Sequence, residues 1–95
     1  MRGVSGNRSR EKIVASILTA IASAPSVRKT LIMYQAALSF SQLQIYLPYA
    51  EQLGLIRMTD DREWTITARG RQYLEAYDTM QQLMELGSQH ALLVA

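Results

Sequence analysis

Residues 39–56, SFSQLQIYLPYAEQLGLI, constrain the fold more than any other stretch of the chain. Ser39 and Gln42 stand three apart, immediately ahead of an apolar run. This is the spacing of a capping box: the hydroxyl accepts from a free backbone N–H, and the amide side chain reaches back to the cap. Leu43, Leu47 and Ala50 then recur at intervals of four and three, which puts them on one helical face. Gly54 offers the left-handed stop, and Leu55-Ile56 opens an extended stretch. The chain must therefore turn a capped helix directly into a strand. Pro48 lies inside that helix and removes a backbone donor, at a cost of about 3 kcal/mol in a regular helix. It predicts a kink near Tyr46-Leu47 or a helix in two pieces.

The flanking segments supply partners for this unit. Residues 1–8, MRGVSGNR, show no periodicity and read as a mobile tail. Ser9 can cap a first helix, with Glu11 in its first turn favoured by the helix dipole. Ile13, Ile17 and Ile21, supported by Val14 and Leu18, give that helix a buried face. Pro25 should end it near Ala24. After an extended Ser26-Val27, a second helix runs from about Arg28 to Ala36, with Ile32 and Ala36 inward. Leu38-Ser39 forms a tight turn into the central helix.

Downstream, residues 55–58 and 63–66 are short strand candidates, joined by the turn residues Thr59-Asp60-Asp61-Arg62. Trp64 and Ile66 alternate with Thr65, so one face of this hairpin is apolar and Trp64 reads as core. Thr67 caps a long last helix from Ala68 to about Leu86, ended by Gly87-Ser88. Gly70 in its first turn is costly for a helix and implies close backbone packing there. The expected organisation is a tail over 1–8, one domain over 9–86 and a second tail over 87–95.

Ninety-five residues, 48% of them hydrophobic, suffice for one small core. The class is mainly α with a small β-hairpin. Three helices, a hairpin and a long C-terminal helix make up a winged helix-turn-helix arrangement. No apolar run approaches the roughly 20 residues needed to span a bilayer, so no membrane partner is expected. No signal peptide is visible, and a cytoplasmic location is expected. Cysteine is absent, which excludes disulfides and thiolate metal sites. Charge is uneven. Residues 1–29 carry six cations against Glu11 alone, while residues 30–95 carry four arginines against seven acids. Such asymmetry permits a polyanion at one face.

A set of short strings fixes a family likeness. Lys29-Thr30-Leu31-Ile32-Met33-Tyr34 is followed by Leu38-Ser39, then Leu43, Tyr46-Leu47 and Gly54-Leu55-Ile56. Ile66-Thr67, Gly70 and Tyr73-Leu74 complete it. Over roughly residues 10–85 the chain resembles the archaeal winged helix-turn-helix family of small dimeric chromatin proteins and single-domain transcriptional regulators. The resemblance implies double-stranded DNA as partner, bound through the central helix and wing, and a homodimer formed through the last helix. Where that family usually carries lysines on the exposed side of the central helix, this chain has Ser41, Gln42, Gln44 and Ile45. Weak nonspecific affinity is the expected consequence, because phosphate neutralisation supplies most of it. A DNA-bound protein of this kind would be nucleoid-associated.

The DNA-facing set is then Arg28, Lys29 and Thr30 on the second helix, Ser39, Ser41, Gln42 and Gln44 on the central helix, and Arg62 at the wing tip. Arg28 and Lys29 suit phosphate at a helix start. Gln42 and Gln44 suit adenine edges. The dimer seam is Tyr73, Tyr77, Met80 and Met84, spaced four, three and four, and widened by Leu83. No enzyme, cofactor or metal is expected: His90 is the only histidine, and no phosphate loop or dinucleotide fingerprint occurs. The rival reading is a winged-helix interaction or dimerisation module without DNA binding.

Overall fold

The computed structural model describes the backbone of residues 8–94 and the side chains of residues 8–87. The elements are α1 (Arg10–Ile21), α2 (Lys29–Gln35), α3 (Phe40–Gln52), β1 (Ile56–Met58), β2 (Trp64–Ile66) and α4 (Ala68–Val94). The expected order of elements is therefore the observed one. Residues 1–7 of the expected tail lie outside the described residues. Arg8 does not belong to a tail: its guanidinium donates to the carbonyls of Ala36 and Ala37, both at 3.0 Å.

Local chemistry sets most helix ends. The Ser9 hydroxyl accepts from Lys12 N–H at 3.1 Å and starts α1. This helix closes at Ile21, three residues short of the expected end, and Val27 pairs with Trp64 as an isolated antiparallel bridge. The hairpin thus gains a third backbone partner. At α3 the capping box is complete. Ser39 Oγ accepts from Gln42 N–H at 3.1 Å, and Gln42 Oε1 accepts from Ser39 N–H at 3.0 Å. Both α2 and α3 end in Schellman motifs. After α2, Leu38 N–H reaches the Met33 carbonyl and Ala37 N–H the Tyr34 carbonyl. After α3, Leu55 and Gly54 make the same pair of bonds to Ala50 and Glu51. The left-handed residue is Gly54 in one, at φ 77°, and Ala37 in the other, at φ 55°.

Two expectations on helix continuity are corrected, the helix in two pieces at Pro48 and the stop at Gly87-Ser88. Pro48 does not divide α3, which is one helix from Phe40 to Gln52. Proline frees the Gln44 carbonyl four residues earlier, and both residues lie on the exposed face, where solvent can satisfy that oxygen. The buried face of Leu43, Leu47 and Ala50 is uninterrupted. Likewise, Gly87-Ser88 does not stop α4, which continues to Val94. A glycine costs a helix about 1 kcal/mol, which is no barrier when no proline follows.

The core is a single cluster in which Ile17, Leu18, Ile21, Ile32 and Leu43 are fully enclosed. Trp64 and Ile66 close it from the hairpin, in register Ile56↔Ile66 and Met58↔Trp64. Thr67 ties three segments together. Its hydroxyl donates to the Gly54 carbonyl at 2.6 Å and accepts from Gly70 N–H at 3.0 Å, while its N–H donates to the Leu55 carbonyl at 3.0 Å. These bonds fix the wing and α4 relative to the end of α3. Among the described residues, no helix is long and apolar enough to cross a membrane.

Candidate nucleic-acid interface

The tight α2–α3 turn places Lys29 beside the exposed face of α3, and the hairpin places Arg62 on the same flank of that helix. Lys29, Gln44 and Arg62 line one open cleft of about 650 Å³ between α3 and the hairpin, floored by Leu43, Leu47 and Trp64. Three residues expected at the DNA face are thus brought together from three elements. The Lys29 ammonium lies 5.2 Å from the centre of the Phe40 ring, at the first turn of α3. A cation over an aromatic face is held without neutralisation, so its charge stays available.

Arg28 stands at the N-cap of α2 and is differently engaged. Its Nε lies 3.6 Å from Glu63 Oε2, and Ser26 Oγ donates to the other carboxylate oxygen. An exposed pair of this length contributes little, and a phosphate can compete for the guanidinium. Thr30 and Ser41 are exposed, Ser41 on the outer face of α3. Ser39 and Gln42 are committed in part to the capping box. The amide oxygen of Gln42 is taken, which leaves its NH₂ group as the free donor. Gln44 is exposed, and neither of its amide functions has a described partner.

The wing turn carries a backbone outlier. Thr59 N–H donates to the Glu63 carbonyl and Arg62 N–H to the Thr59 carbonyl, with Arg62 at φ 61°. Glycine is the residue such a turn favours. Arginine there costs about 1 kcal/mol of backbone strain, and strain of this kind concentrates at sites selected for the side chain. Arg62→Gly should therefore raise stability by up to about 1 kcal/mol in a urea titration. If Arg62 contacts phosphate, the same change lowers DNA affinity, so the two measurements move in opposite directions.

Sequence reasoning missed Glu51, which lines the cleft with Gln44. The signal was available: the two are seven residues apart, two helical turns, and so share a face. Its carboxylate would repel a phosphate placed at the C-terminal half of α3. Arg10 was also missed; its guanidinium lies 5.7 Å from the centre of the Tyr49 ring. Tyr49 and Tyr46 meet edge to face at 6.4 Å and pack against the core. Trp64 is core, as expected.

The residues expected at a dimer seam divide into two groups. Tyr73 packs on its own chain, donating its hydroxyl to the Glu11 carbonyl at 2.9 Å, and burial first, then Glu11, raises its pKa. Tyr77 stacks on Tyr73 at 6.5 Å between ring centres. Met80, Leu83 and Met84 are 46%, 63% and 65% exposed, and Leu86, not foreseen in the seam, is exposed beside them. Among the described residues, no group of three or more acidic or histidine side chains is arranged to hold a metal ion. The His90 side chain lies outside the described residues.

Similarity to known proteins agrees with this architecture. A search of curated protein sequences returns no match. Among solved structures, the chain is similar to Sso10a-2, a DNA-binding protein from Sulfolobus solfataricus. The TM-score is 0.66 at 22% identity, over 93% of this chain and 98% of that one. It is also similar to the multiple antibiotic-resistance repressor MarR from Listeria monocytogenes. There the TM-score is 0.60 at 13% identity, over 85% of this chain but only 65% of the repressor. Identities this low establish the fold alone. The sequence match is wider in consequence: residues 7–85 match the winged helix-turn-helix family, and with its three helices, hairpin and capped α3 this chain belongs to that family.

Proposed function

We propose that this protein is a dimeric winged-helix DNA-binding protein, a transcriptional regulator or a minor chromatin component. The observation that carries this reading is the convergence of Lys29, Gln44 and Arg62 on one cleft beside the exposed face of α3. Both structural relatives are described as a DNA-binding protein or a repressor, which supports the same assignment. Lys29 and Arg28 position the duplex through phosphates, α3 enters the major groove, and Arg62 meets the backbone or the adjacent groove from the wing. Gln44 offers the donor and acceptor that an adenine edge requires. Dimerisation through the exposed stripe of α4 sets two copies of α3 at a fixed separation, so paired half-sites are preferred.

The test is a salt-titrated binding assay with the full chain on random and genomic duplexes. Arg28→Ala combined with Lys29→Ala should weaken binding to all duplexes alike. It should also flatten the slope of log affinity on log salt by roughly 1–2. No binding by the wild type even at low salt would overturn the reading. One observation favours the rival: α3 carries no cation, and its only charge, Glu51, is acidic. In that event the same face is a protein-interaction surface.

A further inference from the structure

The outward face of α3 does not look like that of a phosphate binder. Ile45 is 63% exposed at the crest of the helix, away from Leu43, Leu47 and Ala50. It lines a shallow depression of about 390 Å³ whose other walls include Arg10, Pro48 and Tyr49. Cations therefore stand on both flanks of an apolar crest one helix wide: Lys29 and Arg62 on the cleft side, and Arg10 over Tyr49 on the other. A partner that places negative charge along both sides of a helix-wide slot fits this arrangement, and the major groove of a duplex is such a slot.

The chemistry of the crest then narrows what is read there. Guanine is recognised chiefly by Arg or Lys reaching O6 and N7, and α3 has neither. It presents an amide, Gln44, and a branched aliphatic side chain, Ile45. The amide matches the N6 and N7 edge of adenine, and the aliphatic group matches the C5-methyl of thymine. These are the two halves of one A·T pair.

We propose that Ile45 is a specificity-determining residue that reads thymine C5-methyl groups in the major groove, making α3 an A·T reader. The proposal rests on the DNA-binding reading above and adds to it the class of base pair and the atom recognised. Burying Ile45 against a methyl removes from water an apolar surface that the free protein leaves exposed.

The probes are 20-base-pair alternating A·T duplexes containing either thymine or deoxyuridine, which lacks only the methyl. Alternating G·C duplexes with cytosine or 5-methylcytosine complete the set. Wild-type protein should bind the thymine duplex roughly three- to tenfold more tightly than the deoxyuridine duplex, the size of one buried methyl contact. It should gain a similar factor on 5-methylcytosine. Ile45→Ser should bring both ratios close to one while keeping salt-dependent binding, and Ile45→Val should keep most of the discrimination. Because Ile45 is exposed, the variants are expected to fold, which circular dichroism verifies. Equal wild-type affinity for thymine and deoxyuridine duplexes, with normal salt dependence, overturns methyl reading and leaves DNA binding standing. Absence of binding to every duplex overturns both. Methyl discrimination that survives Ile45→Ser removes Ile45 from the role. A change of mass in Ile45→Ser by light scattering assigns the crest to a contact between copies instead.

Discussion

Gly70→Ala is expected to cost about 3 kcal/mol, a large fraction of the roughly 5–15 kcal/mol that holds a domain together. A Cβ at Gly70 would drive into the Leu55 carbonyl oxygen and stand 2.7 Å from Ile66 Cγ1. The first obstacle is backbone, and it is fixed: the same Leu55 carbonyl accepts from Thr67 N–H. Relief requires α4 to move off the end of α3, which breaks the Thr67 bonds to Gly54 and Gly70. Alanine is the better helix former by about 1 kcal/mol, so propensity alone predicts the opposite sign. Gly87 provides the control in the same helix, because nothing lies within 4 Å of its would-be Cβ. Gly87→Ala should stabilise by up to about 1 kcal/mol. Both are read from urea midpoints at one fixed protein concentration, since association would shift them. Equal midpoints for Gly70→Ala and wild type would show that the close approach is not there.

The second large effect concerns association. With 27 residues, α4 is about 40 Å long at 1.5 Å per residue, more than the rest of the domain can cover. Tyr73 and Leu74 still pack against the core, but Met80, Leu83, Met84 and Leu86 do not. Folding back on Ile13, Ile17 and Ile21 would have covered the stripe, yet Met80, Leu83, Met84 and Leu86 remain exposed. A contiguous aliphatic and thioether surface left in water is a mark of an interaction site. A second α4 packed against it would cover both copies at once, with Tyr77 and Met84 inside that contact. Light scattering at micromolar concentration should give wild type the mass of two chains. Tyr77→Glu combined with Met84→Glu should give the mass of one, because two facing pairs of carboxylates cannot be buried unpaired. A wild-type mass of one chain would refute the dimer and, with it, the preference for paired half-sites.

These two regions differ in how far they could be read from the chain. The tight contact at Gly70 was visible, because a glycine in a first helical turn has few other uses. The apolar stripe on α4 was visible as spacing, but the packing of its first residues on their own chain was not. That Tyr73 belongs to its own chain depends on the Glu11 carbonyl, 62 residues away.

The same division runs through the candidate site. The sequence by itself determined what three or four neighbouring residues can decide. Ser39 and Gln42 cap α3, Ser9 caps α1, Gly54 ends α3, and four polar residues turn the hairpin. Each rests on bonds that close within one turn of backbone, so the order of elements follows from them, and the family with it. Tertiary structure decided the rest. Whether Pro48 breaks α3 depended on which side of the helix met water. Arg8 became the cap of α2 because two carbonyls, 28 and 29 residues along, were left open to it. Arg28, at the N-cap of α2, meets Glu63 beside the wing turn, and Lys29, Gln44 and Arg62 share a cleft only once α2, α3 and the wing have docked. Contacts of this kind join groups whose separation along the chain carries no periodic signal, and they are fixed by how the buried faces meet in three dimensions.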